Sequence, residues 1–394
     1  MYRIGQEEID EIAKVINSRQ LFRVGNPESG HLGMVNQFEK EWSEKIGVEY
    51  TLCVAGGGTG ALMCSLVGLG IGPGDEVLVP GYTFMASAVA VLAVGAIPVI
   101  VEIDESLGID PDHVERKIGP HTRAIMPVHM MGRPCDMDRI LDIAKRHNLK
   151  VVEDACQADG GSYKGKRLGS LGDASGFSFN HYKIITCGDG GAMVTNDRVA
   201  YERALVYHDG GTAFRPHAKD LSIPIFTGIQ LRASEIMGAV LRVQLQRLDG
   251  ILADLRRFRR MFEEKLSGKP GIRFAPSNDL EGDCGVVAAF RFDSEADARA
   301  FSSGTGGGVP IDSGRHVYSN WDPMLEKQAG SHRALNPFLM PQNQGLRMDY
   351  TADIPNTLDI LRRTVFVHMN PDWTEEEALE KIAACKKAGR GLRG

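Results

Sequence analysis

The sequence predicts an α/β protein: a mostly parallel seven-stranded sheet flanked by helices, with a smaller C-terminal α+β domain. Three observations carry this. Between about residues 50 and 200, short β-rich runs alternate with helix-period segments. Gly or Pro punctuates nearly every junction. After about residue 228 the pattern changes to one long helical run followed by a few short strands.

Taken in order, the strand runs are YTLCVA (50–55), EVLVP (76–80), IPVIVEID (97–104), RAIMPVHM (123–130), KVVEDA (150–155), ASGFSF (174–179) and AMVTN (192–196). Helical segments such as DMDRILDIAKRHN (136–148) separate several of them. Strands joined through helices pair in parallel, and such sheets bind ligands beyond their carboxyl ends. The run LRASEIMGAVLRVQLQRLDGILADLRRFRRMFEEKLS (231–267) reads as one connecting helix, and IRFAP, GVVAAFRFD and TEEEALEKIAACKKAG as a small α+β domain. The expected division is a large domain over 15–250 and a small one over 251–394, with residues 1–14 as an N-terminal helix packed nearby. In that helix Ile9, Ile12, Val15 and Ile16 form an apolar stripe.

Composition narrows the function. The chain has 394 residues, 43% of them hydrophobic, which is enough for about two domains. Its 51 acidic and 45 basic residues give a formal charge of −6 with no basic cluster, so nucleic acid is not an expected partner. The longest apolar stretch, MASAVAVLAVGAIPVIV, runs to 17 residues and is broken by Gly95 and Pro98, so no membrane span is expected. The 7 cysteines show no CxxC pair and no histidine at zinc-ligand spacing, which reads as reduced thiols in a cytoplasmic protein with no metal site.

Three motifs lie at strand ends. In VAGGGTGALMCSLVGLG (54–70) a strand gives way to a glycine turn and then a helix. Backbone amides there, uncrowded at Gly56, Gly57, Gly58 and Gly60 and helped by the Thr59 hydroxyl, suit a phosphate. The same span satisfies GxGxxA from Gly56 to Ala61, but no acidic residue ends the next strand, so a single phosphate fits better than a dinucleotide. In KVVEDACQADGG (150–161) a strand delivers Glu153 and Asp154 to its end, and strand alternation points one of them inward. In FSFNHYKIITCGDGGAMV (177–194) Lys183 follows a strand; a desolvated lysine can form a Schiff base with an aldehyde. Each motif alone is also what a plain turn, a capping carboxylate or a surface lysine looks like. Together a phosphate cradle, a carboxylate for a ring nitrogen and an amine for an aldehyde describe pyridoxal 5′-phosphate.

At this point the chain resembles the DegT/DnrJ/StrS sugar aminotransferases, a branch of the fold type I pyridoxal-phosphate enzymes. The similarity is densest in 58–104 and 151–197 and continues in GIQLRASEIMGAVLRVQL (228–245). The resemblance implies that Lys183 is the Schiff-base lysine, that Asp154 pairs with the pyridinium nitrogen, and that Gln157 sits by the phenolic oxygen. Phe84 would stack on the ring, while Gly58, Thr59, Gly60 and Ser178 belong to the phosphate set. Gln230 stands where the family usually has Asn and would reach the phosphate of a neighbouring subunit, so a homodimer with shared active sites is implied. Relatives that replace the lysine by His act as dehydratases; this chain keeps Lys183, which favours transamination.

The expected activity is transfer of an amino group from L-glutamate or L-glutamine to a keto group of a sugar, nucleotide-linked sugar or cyclitol. The alternatives are a pyridoxal-phosphate dehydratase or non-transaminating homologue, and, from GxGxxA alone, a nucleotide-binding oxidoreductase. Arg23, His208, Arg215, His217 and Arg232 are the candidate substrate contacts, with Arg232 the best supported by the resemblance.

Overall fold

The computed structural model describes residues 3–211, 220–350 and 354–392. Helix α1 (Gln6–Ser18) and α2 (Met34–Ile46) precede strand β1 (Tyr50–Val54), and α3 (Gly57–Gly68) follows it. Next come β2 (Glu76–Pro80), α4 (Ala86–Ala93), β3 (Ile97–Val101), α5 (Pro111–Lys117), β4 (Thr122–Ile125), α6 (Met137–His147) and β5 (Lys150–Asp154). A short hairpin, β6 (Ser162–Tyr163) and β7 (Lys166–Arg167), leads to β8 (Ala174–Ser178), β9 (Gly191–Thr195), α7 (Arg198–His208) and the long α8 (Glu235–Leu266).

Seven strands form the main sheet in the order β1-β9-β8-β5-β4-β2-β3. The pairs from β8 through β5, β4 and β2 to β3 are parallel, while β9 runs antiparallel to both β8 and β1. Six strands therefore share one direction, and the turns that follow β1, β5 and β8 meet on one side of the sheet. Each quoted strand run supplies one strand. Within RAIMPVHM the regular strand ends at Ile125, close to Pro127, which has no N–H for the ladder; beyond it Val128 forms only an isolated parallel bridge with Asp154.

The long apolar stretch 85–101 divides into α4 and the buried strand β3 at Gly95, whose φ of 88° is the left-handed conformation that glycine adopts freely. Within one face of the sheet, Trp42 of α2 meets the edges of Phe177 and Phe179 at ring-centroid distances of 5.1 and 5.2 Å, which ties α2 to the strand that carries the lysine loop.

The N-terminal helix departs from the expected stripe. Val15 is buried, but Ile9 and Ile16 are exposed and Ile12 is only half-buried. α1 is fixed instead by Glu8, which accepts from Gly5 N and from Gln244 and Arg247 of α8. Polar contacts set its rotation, which apolar periodicity does not report.

Beyond α8 a two-stranded antiparallel sheet, β10 (Val287–Arg291) with β11 (Thr364–His368), carries α9 (Glu295–Thr305) and the final α12 (Glu375–Arg390). Between them lie α10 (Asp322–Leu325) and α11 (Pro355–Arg362). Part of the expected small domain packs elsewhere: Trp321, Met324, Phe338 and Tyr350 join Ala88, Ile97 and Ile100 of the large domain in one apolar cluster. Residues 315–318 also add backbone hydrogen bonds to the segment after β2, Thr83 N to His316 O (3.0 Å) and Met85 N to Arg315 O (2.9 Å).

Candidate active site

The carboxyl ends of β1, β5 and β8 surround a cavity of about 420 Å³. Its wall includes Gly56, Gly57, Gly58 and Thr59 from the first turn of α3, and Asp154, Cys156 and Gln157 after β5. Ser178, Asn180 and Lys183 after β8 complete it, with Phe84 at the rim. The motifs that stood apart in sequence thus share one chamber.

No side chain caps α3, so its first-turn N–H groups are left for a ligand. Glycine is needed at 58: a Cβ there would stand 2.6 Å from Cys156 Sγ and 3.0 Å from Ser178 Cβ. Asp154 is 5% exposed. Its Oδ2 accepts from Ser87 Oγ at 2.6 Å and its Oδ1 from Cys156 N at 3.1 Å, which leaves further lone pairs for one more donor. Glu153 points the other way, accepting from the backbone N–H groups of Gly169, Leu171 and Gly172 at 2.8, 2.7 and 2.6 Å and facing His129 Nε2 at 3.1 Å. Cys135 N donates to His129 Nδ1, so the ring carries its proton on Nε2 and gives it to Glu153. The alternation left open in the sequence is settled: Asp154 faces the cavity and Glu153 braces the 169–172 turn.

The lysine loop is shaped by Asn180. Its side-chain oxygen accepts from Tyr182 N at 2.9 Å and its carbonyl from Lys183 N at 3.0 Å, a tight turn that presents Lys183 at the cavity wall. Gln157 Oε1 is engaged by Met131 N at 3.1 Å, so its NH₂ group is the end available to an anionic oxygen. Phe84 is 47% exposed, unusual for so large an apolar side chain, and its ring lies 5.2 Å from His316. Burial, followed by the Lys183 charge, lowers the proton affinity of His316 against the opposing effect of the Ser313 carbonyl. Burial raises that of the Cys156 thiol, which keeps it un-ionised.

This donor set fits pyridoxal 5′-phosphate: an uncapped helix N-terminus with a glycine approach for the phosphate, a buried carboxylate for the ring nitrogen, an exposed aromatic face and a lysine.

Residues 2–300 match the DegT/DnrJ/EryC1/StrS aminotransferase family. The chain belongs to this family. GDP-perosamine synthase of Caulobacter vibrioides is 40% identical over 267 residues, 67% of this chain and 68% of that protein. The dTDP-3-amino-3,4,6-trideoxy-alpha-D-glucose transaminase of Streptomyces venezuelae is 39% identical over 282 residues, 70% and 73% of the two chains. Among solved structures, S. venezuelae DesV in complex with a ketimine intermediate superposes with a TM-score of 0.78 at 30% identity, covering 98% of this chain and 95% of that one. The family member described here has the fold type I architecture and is a pyridoxal-phosphate-dependent aminotransferase.

Not every sequence-derived candidate reaches the cavity. Gly60 lies within α3, against Leu231. Arg23 is buried in an ion pair with Glu39 at 2.7 Å and donates to Cys53 O at 3.3 Å. His208 is buried with Nδ1 2.6 Å from Leu205 O. Arg232 pairs with Asp209 and lies 5.2 Å over the Phe22 ring, and Gln230 is exposed beside it. None of these five lines the cavity described above. Arg215 and His217 lie outside the described residues. Conversely, Ser87, Asn180 and His316 were not singled out in the sequence. A signal existed only for Asn180, whose residue type favours turns; the other two reach the site through contacts across the fold.

Proposed function

We propose that the protein transfers an amino group from L-glutamate or L-glutamine to a keto group of a sugar, nucleotide-linked sugar or cyclitol. The observation that carries this reading is the convergence of Lys183, Asp154 and the α3 N-terminus on one cavity, in a chain whose named relatives include nucleotide-sugar transaminases.

When bound, the cofactor supplies an aldehyde for a lysine amine and a protonated ring that draws electrons. Lys183 would hold the cofactor through Nζ and, once freed, take the proton from the donor's Cα as a base. Asp154, held by Ser87 and Cys156 N, keeps a proton on the ring nitrogen. Gly58, Thr59 and Ser178 would bind the phosphate with the α3 amides, Gln157 would donate to the phenolic oxygen, and Phe84 would cover the ring face.

The functional unit is read as a homodimer. Leu21, Phe22, Ile225 and Ile229 are exposed apolar side chains, and the 225–232 segment runs on to Leu231, which packs against Gly56 and Gly60 of the cradle. Gln230 and Arg232 on that segment are then placed to serve a neighbouring copy's site. No helix among the described residues is long and apolar enough to cross a membrane, and all seven cysteines are free thiols, which supports a reducing, cytoplasmic setting.

The test is a half-reaction. The cofactor-loaded protein incubated with glutamate should release about one equivalent of 2-oxoglutarate per site, the stoichiometry of a group carrier, and keto-sugars or keto-cyclitols should then restore the starting absorbance. Release with no acceptor restoring the spectrum would exclude the proposed acceptor classes, and no keto acid released from either glutamate or glutamine would refute the donor assignment.

A further inference from the structure

Part of the cavity wall has no task in holding the cofactor. The α3 turn, Ser178, Asp154, Gln157 and Lys183 are placed to bind it. Of the other polar wall residues, Thr83 is bonded to Ser87 at 2.7 Å, and Cys156 Sγ donates to Gly176 O at 3.6 Å. Two remain, Asn180 and Asp189. Tyr182 N occupies Asn180 Oδ1, so the NH₂ group is the end left for a ligand. Among the described residues neither that group nor the Asp189 carboxylate has a hydrogen-bond or ion-pair partner.

The fold brings these two residues together. Ser178 pairs with Gly191 at the end of the β8–β9 ladder, and one step further Phe179 N donates to Gly190 O at 2.7 Å. Asn180 and Asp189 come next on the two arms, at the base of the loop that carries Lys183. Cys187 N and the Thr186 hydroxyl both donate to Phe179 O and close that base. The wall therefore offers an amide donor and a carboxylate acceptor beside the reacting lysine. A hydroxyl gives one hydrogen bond and takes others, so ring hydroxyls suit this pair. An anionic group in the same place would meet the like charge of Asp189.

We propose that Asn180 Nδ2 and the Asp189 carboxylate bind ring hydroxyls of the amino acceptor next to its keto carbon, and so select a polyhydroxylated ring. Any phosphate of a nucleotide-linked substrate then lies away from this part of the wall. The inference rests on the proposed transfer to a sugar or cyclitol ketone, and it names the residues that read that ring.

The experiment follows the two half-reactions separately, by stopped-flow absorbance, on the cofactor-loaded full chain. Glutamate and glutamine probe the first. A keto-cyclitol and a nucleotide-linked keto-hexose probe the second, each beside its analogue lacking one hydroxyl next to the keto carbon. Asp189→Ala and Asn180→Ser should each slow the second half-reaction of the hydroxylated acceptor about tenfold, and at least about fivefold more than they slow the first. The deoxygenated analogue, already slow on the wild type, should lose no more in the variants. Serine keeps an oxygen for Tyr182 N, so Asn180→Ser preserves the turn, and Asp189→Ala serves if that variant folds poorly. Equal slowing of both half-reactions overturns the proposal, because shaping the loop acts on every step. Equal slowing of the two acceptors, or none, overturns it as well. If no hydroxylated ketone returns the wild-type spectrum, the acceptor reading fails and the proposal with it; if the wild type responds and the variants match it, the proposal alone fails.

Discussion

Ser87 Oγ donates to Asp154 Oδ2 at 2.6 Å, joining the first turn of α4 to the end of β5. A hydroxyl has one proton, so the 2.7 Å contact between Ser87 and Thr83 must be donated by Thr83. The carboxylate meant for the ring nitrogen is therefore oriented by a relay from the segment that also carries Phe84. Ser87→Ala should slow turnover about tenfold, the loss of one charge-assisted hydrogen bond of about 1.5 kcal/mol, with little change in melting temperature. Steady-state kinetics on the variant checks this, and unchanged turnover would remove the relay from the account.

Gly58 lies where the cradle, the β5 turn and β8 come closest. Gly58→Ala places a methyl 2.6 Å from Cys156 Sγ, so the variant should lose bound cofactor at least several-fold faster on dialysis. Adding Cys156→Ala should restore part of the retention, since it removes the nearest obstacle. Retention that is normal in the single variant contradicts the close approach.

Glu153 is a structural carboxylate with three backbone donors and His129 around it. Glu153→Gln turns an acceptor into a donor against those N–H groups and should cost about 3 kcal/mol of unfolding free energy in urea melts. A loss below about 1 kcal/mol would mean that the 169–172 turn is held by something else.

The His316 imidazole has its proton affinity lowered by burial and then by the Lys183 charge. Its folded value thus lies below its unfolded one, near 6.5. Above about 6.5 both states are neutral and the residue leaves stability unaffected; as the pH falls through that value the unfolded state takes up the proton first and stability declines. His316→Gln should therefore lose less melting temperature than the wild type between about pH 7.5 and pH 5.5. Parallel declines would show that His316 is not desolvated in the folded protein.

The sequence made the sheet legible because both-face burial of parallel strands writes continuous apolar runs, and strand-end glycines and prolines mark their limits. It also exposed Lys183, Asp154 and the glycine turn, since each lies beside its strand. What it left open was whether Glu153 or Asp154 faces the cavity, because both directions exist on one strand and only the neighbours decide. Ser87 is 67 residues from Asp154, and His316 reaches Phe84 from a segment between β10 and β11, so no local pattern announces either. The apolar stripe of α1 misled because Glu8, a polar residue, is its buried anchor. Arg23 and Arg232 drew notice as candidate substrate contacts, yet both are paired with internal carboxylates.

The central claim is that Lys183 carries the cofactor in the cavity formed by the ends of β1, β5 and β8. Borohydride reduction of the loaded protein, followed by proteolysis and mass spectrometry, tests it most directly. The account predicts the reduced cofactor on the peptide containing Lys183, and none on the corresponding peptide of Lys183→Ala. Cofactor mass on another lysine, or none on any lysine of a protein that still transaminates, would contradict it.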